Sequence, residues 1–167
     1  DPQGFVWVAD REGHQVVKLT PEGAAVLTLG EYGTFGNDET HFNGPTGVAF
    51  LPEGNFVVSD GYWNSRLVWF DADGRYLMQV GELGNGPGQL GAVHAVTLGP
   101  DGNLYVANVC GTNLHPYVTV PGQIAEARNI PIPNCVSRFD VFTQAGDYLG
   151  PWDALPEPGL PLSVAAY

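Results

Sequence analysis

The chain repeats itself, and the repeat is what most limits its fold. Residues 46–55, Thr-Gly-Val-Ala-Phe-Leu-Pro-Glu-Gly-Asn, return 48 residues on as 94–103, His-Ala-Val-Thr-Leu-Gly-Pro-Asp-Gly-Asn. Val57-Val58-Ser59-Asp60 returns as Tyr105-Val106-Ala107-Asn108, and Ser65-Arg66-Leu67-Val68-Trp69-Phe70 as Ser137-Arg138-Phe139-Asp140-Val141-Phe142. Turn residues and apolar alternation agree together, the mark of a structural repeat. Within the first copy, β-prone runs at 45–51, 55–59, 66–71 and 75–80 are separated by Pro52-Glu53-Gly54, Asp60-Gly61 and Ala72-Asp73-Gly74. That pattern predicts four antiparallel strands joined by tight turns.

A third copy is cut. Pro2-Gln3-Gly4 matches Pro52-Glu53-Gly54, and Trp7-Val8-Ala9-Asp10 matches Val57-Val58-Ser59-Asp60. Runs at 15–20 and 24–29 supply third and fourth strands, but no first strand precedes them. Residues 162–167, Leu-Ser-Val-Ala-Ala-Tyr, read as a lone first strand. Four-stranded units at this period predict an all-β propeller, here one domain over 1–167 with three four-stranded blades, one split across the termini. Propellers have roughly four to eight blades, so three leave two blade faces bare. Either a homodimer closes a six-bladed ring, or the chain is part of a longer propeller.

Composition narrows the function. Eighteen acids against six bases give a net charge of -12. Nucleic acid and anionic membranes both want a basic face, so neither is a partner. The charge suits a cation or a basic ligand, or simply a solvated acidic surface. Gly and Pro, 23 and 14 residues, sit as punctuation between short strands. The best helical candidate, 125–129, is short and flanked by prolines. No run is apolar enough to span a bilayer. The chain starts at Asp1, as a processed or trimmed form would. In a meander blade, first strands begin on the face where second strands end. Thr46, His94 and Leu162 therefore share a face with the loops after Asp10, Asp60 and Asn108. Loops at the channel mouth are the default site.

The motif Asp60-Gly61-Tyr62-Trp63-Asn64-Ser65-Arg66 resembles the NHL repeat. A longer ordered set is similar to the peptidyl-α-hydroxyglycine α-amidating lyases. It comprises His14-Gln15-Val16, Lys18-Leu19, His41-Phe42-Asn43-Gly44-Pro45-Thr46, residues 57–66, Gly88-Gln89-Leu90 and Val93-His94. The resemblance covers roughly residues 1–108. It implies a six-bladed propeller whose channel zinc is held by histidines on first strands of alternate blades. It implies cleavage of a hydroxyglycine C–N bond to a peptide amide and glyoxylate. By position His94 matches a zinc histidine and Tyr62 the tyrosine of the Asp-Gly-Tyr loop, a candidate base. Neutral imidazole is a good zinc ligand. The chain also departs from that pattern. The earlier zinc histidine would fall before Asp1, and the later one near Leu162 or Ser163. The family's Ala-Asp-Arg loop is Ala107-Asn108-Val109 here, whereas Ala9-Asp10-Arg11 lies on another blade. Arg11 is thus the candidate for a substrate carboxylate. Two family cysteines are Asn43 and Trp63, lost together. Zinc, and secondarily calcium, are the metals to expect, with a peptide or small-molecule substrate. In a two-chain ring, two copies of His94 would face each other across the channel. The other readings are a non-catalytic propeller that binds peptide or protein, and another metal-dependent propeller hydrolase.

Residues 109–134 form an inserted loop rich in proline, overhanging the His94 face as a lid or as decoration. Cys110 and Cys135 sit at its ends. A disulfide there would close a loop of about 26 residues and point to an oxidising compartment, secreted or periplasmic. Two free thiols, or a metal site with His115, are the alternatives. His14 and His41 read as structural or surface residues and His115 as an exposed loop residue. Asp60 with Arg66, and Asn108 with Arg138, read as structural pairs inside blades. The segments 71–74 and 101–102 read as hairpin turns rather than calcium loops.

Overall fold

The computed structural model describes residues 1–109 and 136–152. Among these residues eleven strands form three antiparallel meanders. Blade 1 holds β1 (Val6–Asp10), β2 (Gln15–Leu19) and β3 (Ala25–Leu29). Blade 2 holds β4 (Pro45–Phe50), β5 (Phe56–Asp60), β6 (Arg66–Phe70) and β7 (Tyr76–Val80). Blade 3 holds β8 (Ala92–Leu98), β9 (Leu104–Val109), β10 (Arg138–Phe142) and β11 (Tyr148–Pro151). The all-β propeller architecture expected from the repeat is what the chain builds. Blade 1 has three strands among the described residues, and the segment 162–167 expected to complete it lies outside them. The strands end a residue short of the sequence reading at several points. At β4 the cause is a one-turn 3-10 segment, Pro52–Gly54, with Glu53 at φ 69° and Gly54 at φ 91°. The expected turns at 71–74 and 101–102 form, with the Gly74 amide donating to Asp71 and the Gly102 amide to Gly99.

Blade 2 is the centre of the structure, because both its faces are covered. Its alternating side chains serve two cores. Phe56, Val58, Val68 and Phe70 pack with Val16 and Phe42 toward blade 1. Val57, Leu67 and Trp69 pack with Leu90, Val93, Val96, Leu104, Val106 and Phe142 toward blade 3. Every residue of β5 and β6 is buried. Blade 1 has equally apolar strands with one face bare: Val6, Val8 and Val26 are 51%, 41% and 52% exposed. The inner strands β4 and β8 lie side by side, and β1 lies against β4, so the three blades fan around one side of a hub.

A buried ion pair ties blade 2 to the loop before it. Asp60 accepts from Arg66 Nε at 2.8 Å, Asn64 Nδ2 at 2.7 Å and the Asn43 amide at 2.8 Å. Arg66 donates onward to the carbonyls of Asp38 and His41 and to the Gln79 side chain. Burial pushes the Asp60 carboxyl up from its ordinary value, and Arg66, Asn64 and the Asn43 amide act against that push. In blade 3 the partner of Arg138 is Asp140, at 2.7 Å, with Asn108 Nδ2 donating to the other Asp140 oxygen. The sequence reading paired Arg138 with Asn108; the two are indeed register neighbours, but Asp140 stands between them.

Removing the carboxylate leaves a buried guanidinium without its counter-charge. Asp60→Ala is expected to cost about 3–5 kcal/mol of stability. Urea denaturation of the variant against the parent chain reads the loss, and a change below about 1 kcal/mol would show the pair to be dispensable.

Candidate functional site

A bulge aims the key side chain. In the β8–β9 ladder Val93 pairs with Asn108 and Ala95 with Ala107, so His94 is the extra residue. The same irregularity occurs in β4, where Pro45 pairs with Asp60 and Gly47 with Ser59, leaving Thr46 extra. A bulged residue leaves the ladder and its side chain is re-aimed. Thr46 and His94, equivalent in the repeat, are therefore equivalent in structure. Thr46 Oγ1 meets the Ser59 hydroxyl at 2.8 Å and donates to the Val93 carbonyl at 2.7 Å, fixing blade 3 to blade 2 beside His94.

Three blades contribute to one cluster. Tyr62, in the loop after β5, places its hydroxyl 2.9 Å from His94 Nε2, with the two rings 5.0 Å apart. Arg11, in the turn after β1, holds its guanidinium carbon 4.7 Å from the centroid of the Tyr62 ring. The structure thus brings Arg11, Tyr62 and His94 together, although 51 and 32 residues separate them along the chain. Arg11 also pairs with exposed Glu12. The Tyr62 loop is pinned by its backbone, since the amides of Tyr62 and Trp63 donate to the carbonyls of Gly44 and Asn43. Gly61 has no room for a side chain. A Cβ there would lie 1.9 Å from the Val93 carbonyl oxygen, which is why the Asp-Gly-Tyr sequence needs its glycine.

The other histidines are elsewhere. His41 bonds Asp38 at 3.0 Å and lies 3.8 Å from Glu31 in an exposed loop. His14 has φ 58° and sits between the rings of Phe35 and Trp63. Its Nδ1 is buried without a hydrogen-bond partner, and burial pushes its pKa down. Cys110, Cys135, His115, Leu162, Ser163 and almost all of the 109–134 loop lie outside the described residues. Two clefts between blades 1 and 2, of about 280 and 470 Å³, are lined by Trp7, Lys18 and Phe50 and by Leu29, Phe70 and Tyr76 respectively. Neither includes Tyr62 or His94.

A catalytic zinc takes about three protein ligands plus a water or substrate. His94 offers one imidazole, whose Nε2 already meets the Tyr62 hydroxyl. Among the described residues no group of three or more His, Cys, Asp or Glu side chains could hold a metal ion. The donors among the described residues do not make a zinc or calcium site by themselves.

Comparison with known proteins gives the class and then its nearer kin. Residues 42–70 match the NHL repeat, so the chain is an all-β propeller protein carrying an NHL repeat. It is 43% identical over 115 residues to peptidyl-glycine alpha-amidating monooxygenase A of Xenopus laevis, covering 65% of this chain and 12% of that protein. It is 37% identical over 107 residues to a probable peptidyl-alpha-hydroxyglycine alpha-amidating lyase of Caenorhabditis elegans, covering 62% of this chain and 31% of that protein. The chain thus spans less than a third of either relative. A protein of unknown function from Bacteroides caccae has the same fold, with a TM-score of 0.62 at 15% identity, over 98% of this chain and 50% of that one. Among the described residues no helix is long and apolar enough to cross a membrane.

Gly61→Ala tests the seam beneath the cluster. The new methyl must push the Val93 backbone away, and overpacking of this kind costs about 1–3 kcal/mol. Thermal unfolding should show a lower Tm than the parent; an unchanged Tm would mean that the blades are not in contact at Gly61.

Proposed function

We propose that the chain forms part of a lyase that cleaves peptidyl-α-hydroxyglycine, or a related amidoglycolate, to an amide and glyoxylate. The observation that carries this reading is the meeting of Arg11, Tyr62 and His94 from three different blades. The similarity to a relative named as a peptidyl-alpha-hydroxyglycine alpha-amidating lyase supports it.

The chemistry runs on a phenol, an imidazole and a guanidinium. The guanidinium of Arg11 takes the substrate carboxylate in a two-point hydrogen bond. The substrate hydroxyl lies against the Tyr62 oxygen. As that oxygen accepts the hydroxyl proton, its own proton passes to His94 Nε2. The C–O bond becomes a carbonyl, the C–N bond breaks, and its electron pair goes to the amide nitrogen. The nitrogen then takes a proton back from the pair, so no net proton is gained or lost. An amide anion is a poor leaving group, and positioned proton transfer of this kind contributes about 10²–10⁴ in rate. Zinc, which the resemblance implies, would need donors beyond His94, such as a second copy of His94 across a closed ring.

A ring-completing homodimer belongs to the same proposal. It is supported by the bare apolar face of blade 1, whose Val6, Val8 and Val26 would otherwise meet water. So does a secreted or periplasmic setting, which a Cys110–Cys135 disulfide would require.

Glyoxylate release from α-hydroxyglycine peptides tests the chemistry. Tyr62→Phe should lower kcat by about 10²–10⁴ with KM little changed. Arg11→Ala should raise KM by about 10–100-fold, the worth of a charge-assisted hydrogen bond. A folded parent chain that binds such peptides but releases no glyoxylate would overturn the lyase reading and leave a binding module. Sedimentation should give twice the chain mass of 17.8 kDa; a monomer that turns over substrate would remove the dimer.

A further inference from the structure

The Tyr62–His94 pair is the inner end of a longer line of rings. Tyr62 and Trp63 have centroids 6.0 Å apart, Trp63 and His14 5.6 Å, and His14 and Phe35 5.9 Å. The planes are tilted or edge-on throughout, at 54°, 56° and 65°, the arrangement aromatic pairs prefer over a face-to-face stack. The rings come from three separate stretches. Phe35 lies in the loop after β3, His14 in the β1–β2 turn, and Trp63 beside Tyr62. All are half-buried, so part of each residue's surface remains accessible.

We propose that Trp63, with His14 and Phe35, is the subsite for an apolar or aromatic side chain on the residue immediately before the reacting hydroxyglycine. The inference rests on the lyase reading for the position of the reacting residue. Consecutive Cα atoms are about 3.8 Å apart, so a residue bound at Tyr62 places its predecessor's side chain within reach of a ring about 6 Å away. Trp63 is that ring. His14 continues the line of rings between Phe35 and Trp63, and burial pushes its pKa down, away from the charged form. Glu31, and Asp38 bonded to His41, belong to the same 30–44 loop as Phe35, so an acidic side chain there would meet like charge. The backbone is shaped to hold Trp63 down. Gly44 has φ +81°, and a Cβ at that position would fall 2.7 Å from both the Trp63 ring and the Tyr62 Cβ.

Binding separates this proposal from the chemistry, because it needs no cleavable bond. The probes are N-acetyl-Phe-Gly, N-acetyl-Leu-Gly, N-acetyl-Ser-Gly and N-acetyl-Asp-Gly, titrated by calorimetry. The Phe and Leu peptides should bind at least tenfold more tightly than the Ser peptide, and the Asp peptide most weakly. Trp63→Ala should flatten the ranking while leaving N-acetyl-Ser-Gly binding within about twofold. Trp63→Phe should keep the ranking. Should Trp63→Ala fail to fold, Phe35→Ser replaces it, with a smaller loss of the same sign for the Phe peptide. Equal affinities for all four peptides in the parent chain would overturn the subsite, as would a ranking that neither Trp63→Ala nor Phe35→Ser alters. Should the ranking appear without glyoxylate release from the matching hydroxyglycine peptides, the subsite stands and the lyase reading falls.

Discussion

The Asp60–Arg66 pair is the interaction on which the site depends. Its members are almost fully buried, so each must be satisfied on every side. The partners that satisfy them are not chosen from the blade alone. Asn43, Asp38 and His41 belong to the loop that enters blade 2, and Asn64 belongs to the loop that leaves β5. The cost of burying two charges is offset by drawing two loops onto one blade. Asn64 also donates to the Gly36 carbonyl, at 2.7 Å, and so reaches the segment that carries Phe35. A single ionic contact therefore fixes the backbone on both sides of Tyr62 and Trp63.

The second constraint is the bulge near the start of each complete blade's first strand. A regular ladder would alternate side chains between the two blade cores, where a histidine would be buried among valines. The extra residue breaks that alternation at one place. In blade 2 the position is filled by Thr46, which spends its hydroxyl on Ser59 and Val93 and so becomes structural. In blade 3 it is filled by His94, whose ring nitrogen meets the neighbouring blade's tyrosine. One backbone device yields a brace within the first strand pair in one blade and an imidazole turned to the neighbouring blade's tyrosine in the next, and the side chain alone decides which.

Much of the fold was legible in the sequence because a repeat checks itself. Pro52-Glu53-Gly54 and Gly99-Pro100-Asp101-Gly102 mark the same hairpin twice, and Arg66 and Arg138 open the same strand twice. His94 and Tyr62 could be singled out for the same reason, by their places relative to Thr46 and Asp60. What could not be read were contacts between loops of different blades. Arg11 looked displaced, on a blade other than the one that carries such a residue in the resembled lyases, yet it lies over Tyr62. Asp140 went unnoticed because an aspartate inside an apolar run looks like a surface residue of a half-exposed strand, whereas it is buried and bonded to Arg138, Asn108 and Tyr148. The line from Phe35 through His14 to Trp63 joins three loops, and no spacing along the chain announces it.

The position of Arg11 follows from the geometry of a hub. The loops that leave β1 and β5 meet, so a long side chain on one reaches the residues of the other. The resembled lyases carry an arginine in the loop that here reads Ala107-Asn108-Val109. This chain carries none there, and Asn108 is committed to Asp140 and to the Gly91 amide. A cation does reach Tyr62 from blade 1, where Arg11 lies over its ring. Such a change leaves every strand and every core residue untouched, because the loop tips lie outside both hydrophobic clusters. A fan of equivalent blades can in this way bring a long side chain to one loop cluster from either neighbouring spoke.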